Sequence, residues 1–143
     1  MKKGIAILVS ALLLLALAAC GGEKTTGPEV EYGNSDLYTK EEMDAAVAAI
    51  RAEFDTWEGC EFQALRYAGD ESASQENLDW MNELRKDGEA FTQCIEFLGD
   101  FHSPKDEAAS FALGMEADQE YQDWRWWLAR SEGGDWQLMT WGY

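Results

Sequence analysis

The chain has 143 residues, with 28 acidic against 11 basic side chains and a formal net charge of −17. This length suits one domain, and so large a negative charge excludes binding to nucleic acid, which requires a cationic surface to displace counterions. Hydrophobic residues make up 46% of the chain and aromatic residues 13%, which excludes a disordered acidic tail.

The first nineteen residues are predicted to be an export signal. Lys2 and Lys3 precede an uncharged run from Ile5 to Ala19. Residues 4–19 as a helix would reach about 24 Å, short of the roughly 30 Å hydrocarbon thickness of a bilayer. The sequence therefore predicts a signal peptide over residues 1–19 rather than a permanent membrane span.

The segment Leu17-Ala18-Ala19-Cys20 resembles the lipobox of bacterial lipoproteins. The resemblance implies cleavage just before Cys20 and a diacylglyceryl group, with its palmitate-type chains, on the Cys20 thiol. Two acyl chains hold a protein stably on a membrane, whereas one chain holds it only marginally. The expected location is the extracytoplasmic face of the cell membrane. The alternative is ordinary secretion with cleavage after Ala18.

Residues 20–37 are predicted to be the lipidated cysteine and a flexible tether, because this stretch is rich in Gly, Thr, Asn and Ser and has few apolar residues to bury. The folded domain is expected over residues 38–143. Its first element is a helix, since Thr39 and Glu42 match a capping box. Apolar residues then follow at helical spacing as far as Trp57, and Gly59 is expected to stop the helix.

The middle of the chain predicts a strand, a helix and a second strand. Residues 60–68 form a strand candidate with a bulge after Phe62. Ser74 begins a shorter helix that ends near Gly88. From Phe91 to 102 the apolar residues alternate, which predicts a strand with one buried face. Residues 104–118 are expected to be a loop with a helical turn.

Two aromatic strands, residues 121–130 and 136–143, are predicted to form a hairpin with Gly133-Gly134 as its turn. The register that follows pairs Trp126 with Trp141 and Leu128 with Met139 on the core face. The opposite face receives the candidate binding patch, which consists of Arg125, Trp127 and Trp136. The alternative for these tryptophans is core packing.

This order of elements predicts an α+β fold, namely an antiparallel sheet of about four strands with two helices on one face. A long first helix against a curved sheet is similar to the cystatin-like roll, which also occurs in the nuclear transport factor 2 superfamily. That similarity concerns shape and implies no activity.

Several motifs carry a wider resemblance. They are Phe54, Trp57-Glu58-Gly59-Cys60, Tyr67-Ala68-Gly69-Asp70, Asp79-Trp80, the strand 121–130 and Trp141-Gly142-Tyr143. Over roughly residues 37–143 they resemble small lipoproteins of gut-dwelling Gram-positive anaerobes, with a lipobox leader, a polar tether and one domain ending in Gly-Tyr. The resemblance implies a Gram-positive cell surface and brings no reaction with it. The acidic segment 105–120 departs from the group, in which a turn rich in Gly, Ser and Asn is usual.

Cys60 and Cys94 are the two cysteines left if Cys20 is lipidated. A disulfide between them would close a loop of about 35 residues and contribute about 3–4 kcal/mol. The alternative is two small buried apolar side chains. The chain has no Cys-x-x-Cys motif, so redox catalysis is not expected.

No residue pattern predicts a catalytic site, a metal or a cofactor. His102 is the only histidine, which excludes a zinc site built from several histidines, and we expect it to be a surface residue. The acidic clusters at 70–71, 106–107 and 116–120 lack the alternating pattern of a calcium loop.

The first functional hypothesis is a non-enzymatic, lipid-anchored surface module that binds a protein or a small-molecule ligand. It would bind through the outer sheet face or through a cavity between sheet and helices. The alternatives are a small extracytoplasmic enzyme with His102 as base and a structural spacer in the cell envelope. A deep pocket with converging polar groups would favour the enzyme. A filled interior with exposed Trp127 and Trp136 would favour the module.

Overall fold

The computed structural model describes residues 27–143, so the predicted signal peptide, Cys20 and the first part of the predicted tether lie outside the described residues. In chain order the elements are β1 (Glu29–Glu31), α1 (Lys40–Phe54), β2 (Glu61–Tyr67), a 3-10 turn (Asp70–Ala73), α2 (Gln75–Leu84), β3 (Gln93–His102), α3 (Glu107–Ala112), β4 (Glu120–Arg130) and β5 (Gln137–Gly142). The described part of the chain is α+β, with one five-stranded sheet and three α-helices.

The sheet has the strand order β1-β2-β3-β4-β5 and is mixed. Strands β2 to β5 form an antiparallel meander, whereas β1 runs parallel to β2. The expected antiparallel sheet of about four strands is therefore confirmed in part: β2 to β5 match it, and β1 adds a fifth, parallel strand. The predicted tether is wrong at β1, where Val30 pairs with Leu65 and packs against the core. The edge of β2 offers unpaired backbone N–H and C=O groups to which β1 can bond, and composition alone does not reveal such partners.

Local patterns in the sequence correctly place the two longer helices. The Thr39 hydroxyl accepts from the Glu42 amide at 3.2 Å, and the Glu42 carboxylate accepts from the Thr39 amide at 2.8 Å, so the predicted capping box is confirmed. The helix ends at Phe54, before the Gly59 stop expected from the sequence. Ser74 caps α2 as predicted. The predicted bulge in β2 lies between Phe62 and Ala64.

Helices α1 and α2 lie on opposite faces of the sheet. Phe97 pairs with Trp126, and both belong to the core beneath α1. Cys94 pairs with Ala129, and both pack against Met81 of α2. Because side chains alternate along a strand, these two sets point to opposite faces. The prediction of two helices on one face is therefore wrong, and the central strands β3 and β4 are buried on both faces where α2 covers them.

The β4–β5 hairpin has a bulge that changes the predicted register. Trp126 pairs with Trp141 as predicted, but Leu128 pairs with Leu138 rather than with Met139. The connection spans residues 131–136 instead of a two-residue turn. One extra residue in a strand moves the following side chains to the other face. Leu138 consequently packs towards α1, and Met139 packs towards α2.

Candidate functional site

The structure buries the two tryptophans of the predicted binding patch. Trp127 is 3% exposed beneath α2, where the Trp80 ring contacts it edge-on at 5.4 Å between centroids. Trp136 is 7% exposed on the opposite face of the sheet, and its Nε1 donates to the Glu42 carbonyl oxygen at 2.9 Å. The prediction of an exposed patch is therefore wrong. The covering helix α2 and the hairpin bulge, which the sequence analysis did not anticipate, separate the two indoles.

Arg125, the third residue of the predicted patch, is engaged within the fold. Its guanidinium forms an ion pair with the buried Glu96 carboxylate and lies 5.2 Å from the centre of the Trp127 ring. The Glu96 carboxylate raises the pKa of Arg125. The Arg125 guanidinium thus compensates the charge of the buried Glu96 carboxylate on the α2 face of the sheet. Of the two tryptophans predicted to share a patch with Arg125, only Trp127 is in contact with it.

Cys60 and Cys94 are free thiols, which agrees with the alternative of two small apolar side chains and not with a disulfide between them. Cys60 precedes Glu61, which pairs with His102, and Cys94 lies eight residues before His102 along β3. At 3.3 Å per residue this is a separation of about 26 Å, whereas bridged cysteines have Cα atoms about 6 Å apart. Burial raises the pKa of both thiols to about 11, and the two side chains act as small apolar residues.

His102 bridges two carboxylates beside the loop that carries α3. Its Nδ1 lies 2.6 Å from Oε1 of Glu120, and its Nε2 lies 2.8 Å from Oδ1 of Asp118. Hydrogen bonds to Glu120 and then Asp118 raise the pKa of His102. Gln63 donates to the same Glu120 oxygen at 3.3 Å. Both ring nitrogens are thus occupied, which leaves no free nitrogen to act as a general base.

A second polar group lies on the same sheet face. Arg66 binds both carboxylate oxygens of Asp100, at 2.7 and 3.1 Å, and Asp123 at 2.5 Å. The Arg66 guanidinium lowers the pKa of Asp100. Arg66, like His102, is thus bonded to two carboxylates of the same fold. Within residues 27–143 no group of three or more His, Cys, Asp and Glu side chains could hold a metal ion.

The exposed aromatic rings of the sheet lie elsewhere, at the end of β5. Trp141 is 40% exposed and Tyr143 is 78% exposed. Together with the half-buried Tyr121 and Trp124 of β4 they form what we call the aromatic surface. The Tyr143 ring packs edge-on against Trp124 at 5.0 Å and lies 6.5 Å from Tyr121.

Buried rings support the aromatic surface from below. Trp141 lies 6.0 Å from the buried Trp126 and 6.2 Å from Trp57, and Tyr121 stacks on the buried Phe101 at 5.1 Å. The Tyr121 hydroxyl accepts from the Glu116 amide at 3.0 Å. These contacts hold the rings in place. Trp141 lies on the core face as predicted, but its position on an edge strand, which leaves it exposed, was not expected.

The interior between α1 and the sheet is filled by packed side chains, and half of its buried residues are aromatic. Three clefts of 450–540 Å³ lie beside α1 and the residues that follow it, and exposed residues such as Ala48 and Asp55 line them in part. None of these three clefts is a deep pocket with converging polar groups of the kind that would favour an enzyme.

Among residues 27–143 no helix is long and apolar enough to cross a membrane. Comparison of the chain with protein-family models, with curated proteins and with solved structures finds no match.

Proposed function

We propose that this protein is a non-enzymatic, lipid-anchored cell-surface module that binds a partner through the aromatic surface. The observation that carries the proposal is the pair of exposed rings, Trp141 and Tyr143, packed on buried aromatic neighbours. Large exposed aromatic side chains are typical of the central contacts of binding interfaces. Rings that are already held in place lose little further conformational freedom when a partner binds.

The polar groups of the sheet support binding rather than catalysis. His102, Arg66 and Arg125 are each bonded to carboxylates of the same fold. A general base or nucleophile needs a free atom within reach of a substrate.

The long helix α1 against the meander β2 to β5 also supports the cystatin-like roll that the sequence predicts, although β1 is an additional parallel strand.

The lipid anchor is proposed from the segment Leu17-Ala18-Ala19-Cys20, and the wider resemblance to lipoproteins of Gram-positive anaerobes supports it. Metabolic labelling with radioactive palmitate tests it: the Cys20→Ser variant should lose the label. Cys60→Ser, which removes a half-buried thiol of the fold, is the matched control and should stay labelled. Undiminished labelling of the Cys20→Ser variant would refute the anchor.

The binding proposal is tested by photo-crosslinking on intact cells. A photoreactive phenylalanine analogue placed at Tyr143 should form a covalent adduct with the partner, and Trp141→Ser should reduce the yield. The control position is Phe111 of α3, which is 85% exposed and lies outside the aromatic surface. Equal adducts at both positions would indicate unspecific contact. The absence of an adduct at Tyr143 would refute the proposal and favour a structural spacer in the envelope.

A further inference from the structure

Strand β5 forms one edge of the sheet and pairs only with β4. Within the described chain, the hydrogen bonds of its backbone are those of the ladder with β4. Alternate N–H and C=O groups on the other side of an edge strand therefore face solvent and can pair with a further strand. The side chains of Trp141 and Leu138 follow the same strand on the α1 face.

The two edges of the sheet differ in the features that usually prevent pairing with another chain. Strand β1 has three residues, of which Glu29 and Glu31 are charged. Strand β5 has six residues with the sequence QLMTWG and no charge, although 27% of the whole chain is charged. Short length and charged side chains protect sheet edges against strand addition. Edge β1 has this protection, and edge β5 lacks it.

A groove of about 310 Å³ lies beside the first residues of β5. Its lining is mainly polar, from Arg85, Lys86, Asp87 and Gln137, and Leu84, Phe91, Leu138 and Met139 supply the smaller apolar part. A strand added to β5 would therefore run past this groove at one end and past the exposed Trp141 at the other. Such pockets for side chains are what gives specificity to strand addition.

The basic pair at this groove is unusual in so acidic a protein. The Arg85 guanidinium donates to the backbone carbonyl oxygens of Asp87 and Gly88, and Lys86 forms no ion pair within residues 27–143. By contrast, Arg66 and Arg130 each bind a carboxylate side chain. The groove thus presents two cations against the single carboxylate of Asp87, which favours an anionic group on the partner.

We propose, building on the binding function above, that β5 takes up an extended peptide segment of the partner as a sixth strand. One carboxylate of that segment lies against Arg85 and Lys86. The remainder of the segment carries no further acidic residue, because a net charge of −17 repels a polyacidic partner. The same repulsion disfavours a second copy of this chain as the occupant.

The proposal is tested with a random dodecapeptide library displayed on phage, selected against the full protein purified from membranes in detergent. The selected peptides should alternate β-branched and aromatic residues and share one Asp or Glu. Replacing that acid by its amide should weaken binding about tenfold, as expected for loss of a charge-assisted hydrogen bond. In the double variant Arg85→Gln, Lys86→Gln the acid and the amide should bind equally well. Lys105→Gln is the matched control, since Lys105 also forms no ion pair within residues 27–143, and it should leave the tenfold difference intact.

Backbone N-methylation of the selected peptide distinguishes strand addition from other modes of binding. Methyl groups at alternate residues in one frame block the ladder with β5 and should abolish binding, whereas methylation in the other frame faces away from β5 and should be tolerated. Equal tolerance of both frames would overturn strand addition. So would peptides selected without an acidic residue, failure to select any peptide, or a dimer of the protein that excludes the peptide.

These failures are distinguishable from failure of the proposed function. Photo-crosslinking at Tyr143 does not depend on how the partner's backbone is arranged. An adduct at Tyr143 combined with failed strand addition would leave the binding function in place and reject only the extended segment.

Discussion

Replacing Gly99 of β3 by alanine tests how tightly the aromatic core is packed. A Cβ atom at this position would lie 2.7 Å from Nε1 of Trp126 and 3.2 Å from Cε2 of Phe62. The Trp126 ring is fully buried and contacts the rings of Phe54, Trp57 and Phe62, with centroids 5.2–6.4 Å away. It therefore has no free space into which to move.

Two opposing effects set the magnitude for Gly99→Ala. Removing a glycine from a strand interior stabilises a fold by about 0.5–1 kcal/mol. Overpacking a closed core costs about 1–3 kcal/mol. Because the Trp126 ring is held on several sides, overpacking should dominate, and the net loss in the free energy of unfolding should be about 1–2 kcal/mol.

Urea denaturation followed by far-ultraviolet circular dichroism measures this change. Trp126→Phe supplies the matched background, since phenylalanine lacks the indole nitrogen that would meet the new methyl group. In that background Gly99→Ala should be neutral or slightly stabilising, which gives a coupling of about 1 kcal/mol or more in the double-mutant cycle. A Gly99→Ala variant at least as stable as the unmodified protein, with Trp126 present, would refute the packing argument.

Three further predictions concern the sheet face beneath α2, the charge of His102 and the two thiols. Trp127→Ala should lower the free energy of unfolding, measured by urea denaturation, by about 3–5 kcal/mol because it opens a cavity beneath α2. Replacing the half-exposed Trp80 by alanine should lower it clearly less. Equal small losses for the two variants would mean that α2 does not cover the sheet. Carboxylate neighbours raise the pKa of His102, so its stabilising contribution is present below about pH 6.5 and is lost as the pH rises through the folded-state pKa. His102→Asn should therefore reduce the difference in urea midpoint between about pH 6 and about pH 9, and an unchanged difference would contradict this assignment. Because burial raises the pKa of the Cys60 and Cys94 thiols to about 11, both should react with iodoacetamide at neutral pH only after unfolding, and a mass change on reduction would instead reveal a disulfide.

The sequence predicted those parts of the fold that depend on residues close together in the chain. The capping box at Thr39, the cap at Ser74 and the bulge after Phe62 each follow from a few neighbouring residues, and all three are confirmed. The pairing of Trp126 with Trp141 is also confirmed, because the bulge brings the far end of the hairpin into the predicted register although the connection is longer than expected.

The errors arise where distant parts of the chain meet. The covering of Trp127 by α2 depends on the side of the sheet to which that helix returns, and no local pattern specifies this. The parallel strand β1 depends on the free edge of β2. The candidate binding site differs from the predicted one for the same reason. The face of the sheet on which Trp141 lies was predictable, but the exposure of its side chain depends on how far α1 extends over β5. Residue propensity and hydrophobic periodicity predict individual helices and strands. They carry no information about which other element covers a given face of a strand.

The position of β1 also determines how a pulling force would enter the fold. Any tension applied through residues before Gly27 reaches the sheet at β1, which is held by a three-residue parallel pairing. Four strand spacings of about 4.8 Å, or about 19 Å in total, separate this edge from β5. Under the proposed anchoring, β1 should peel away first under load, while the opposite edge keeps its shape. Mechanical strain that enters from the N-terminal side would thereby be kept apart from the edge at which the proposed partner would be held.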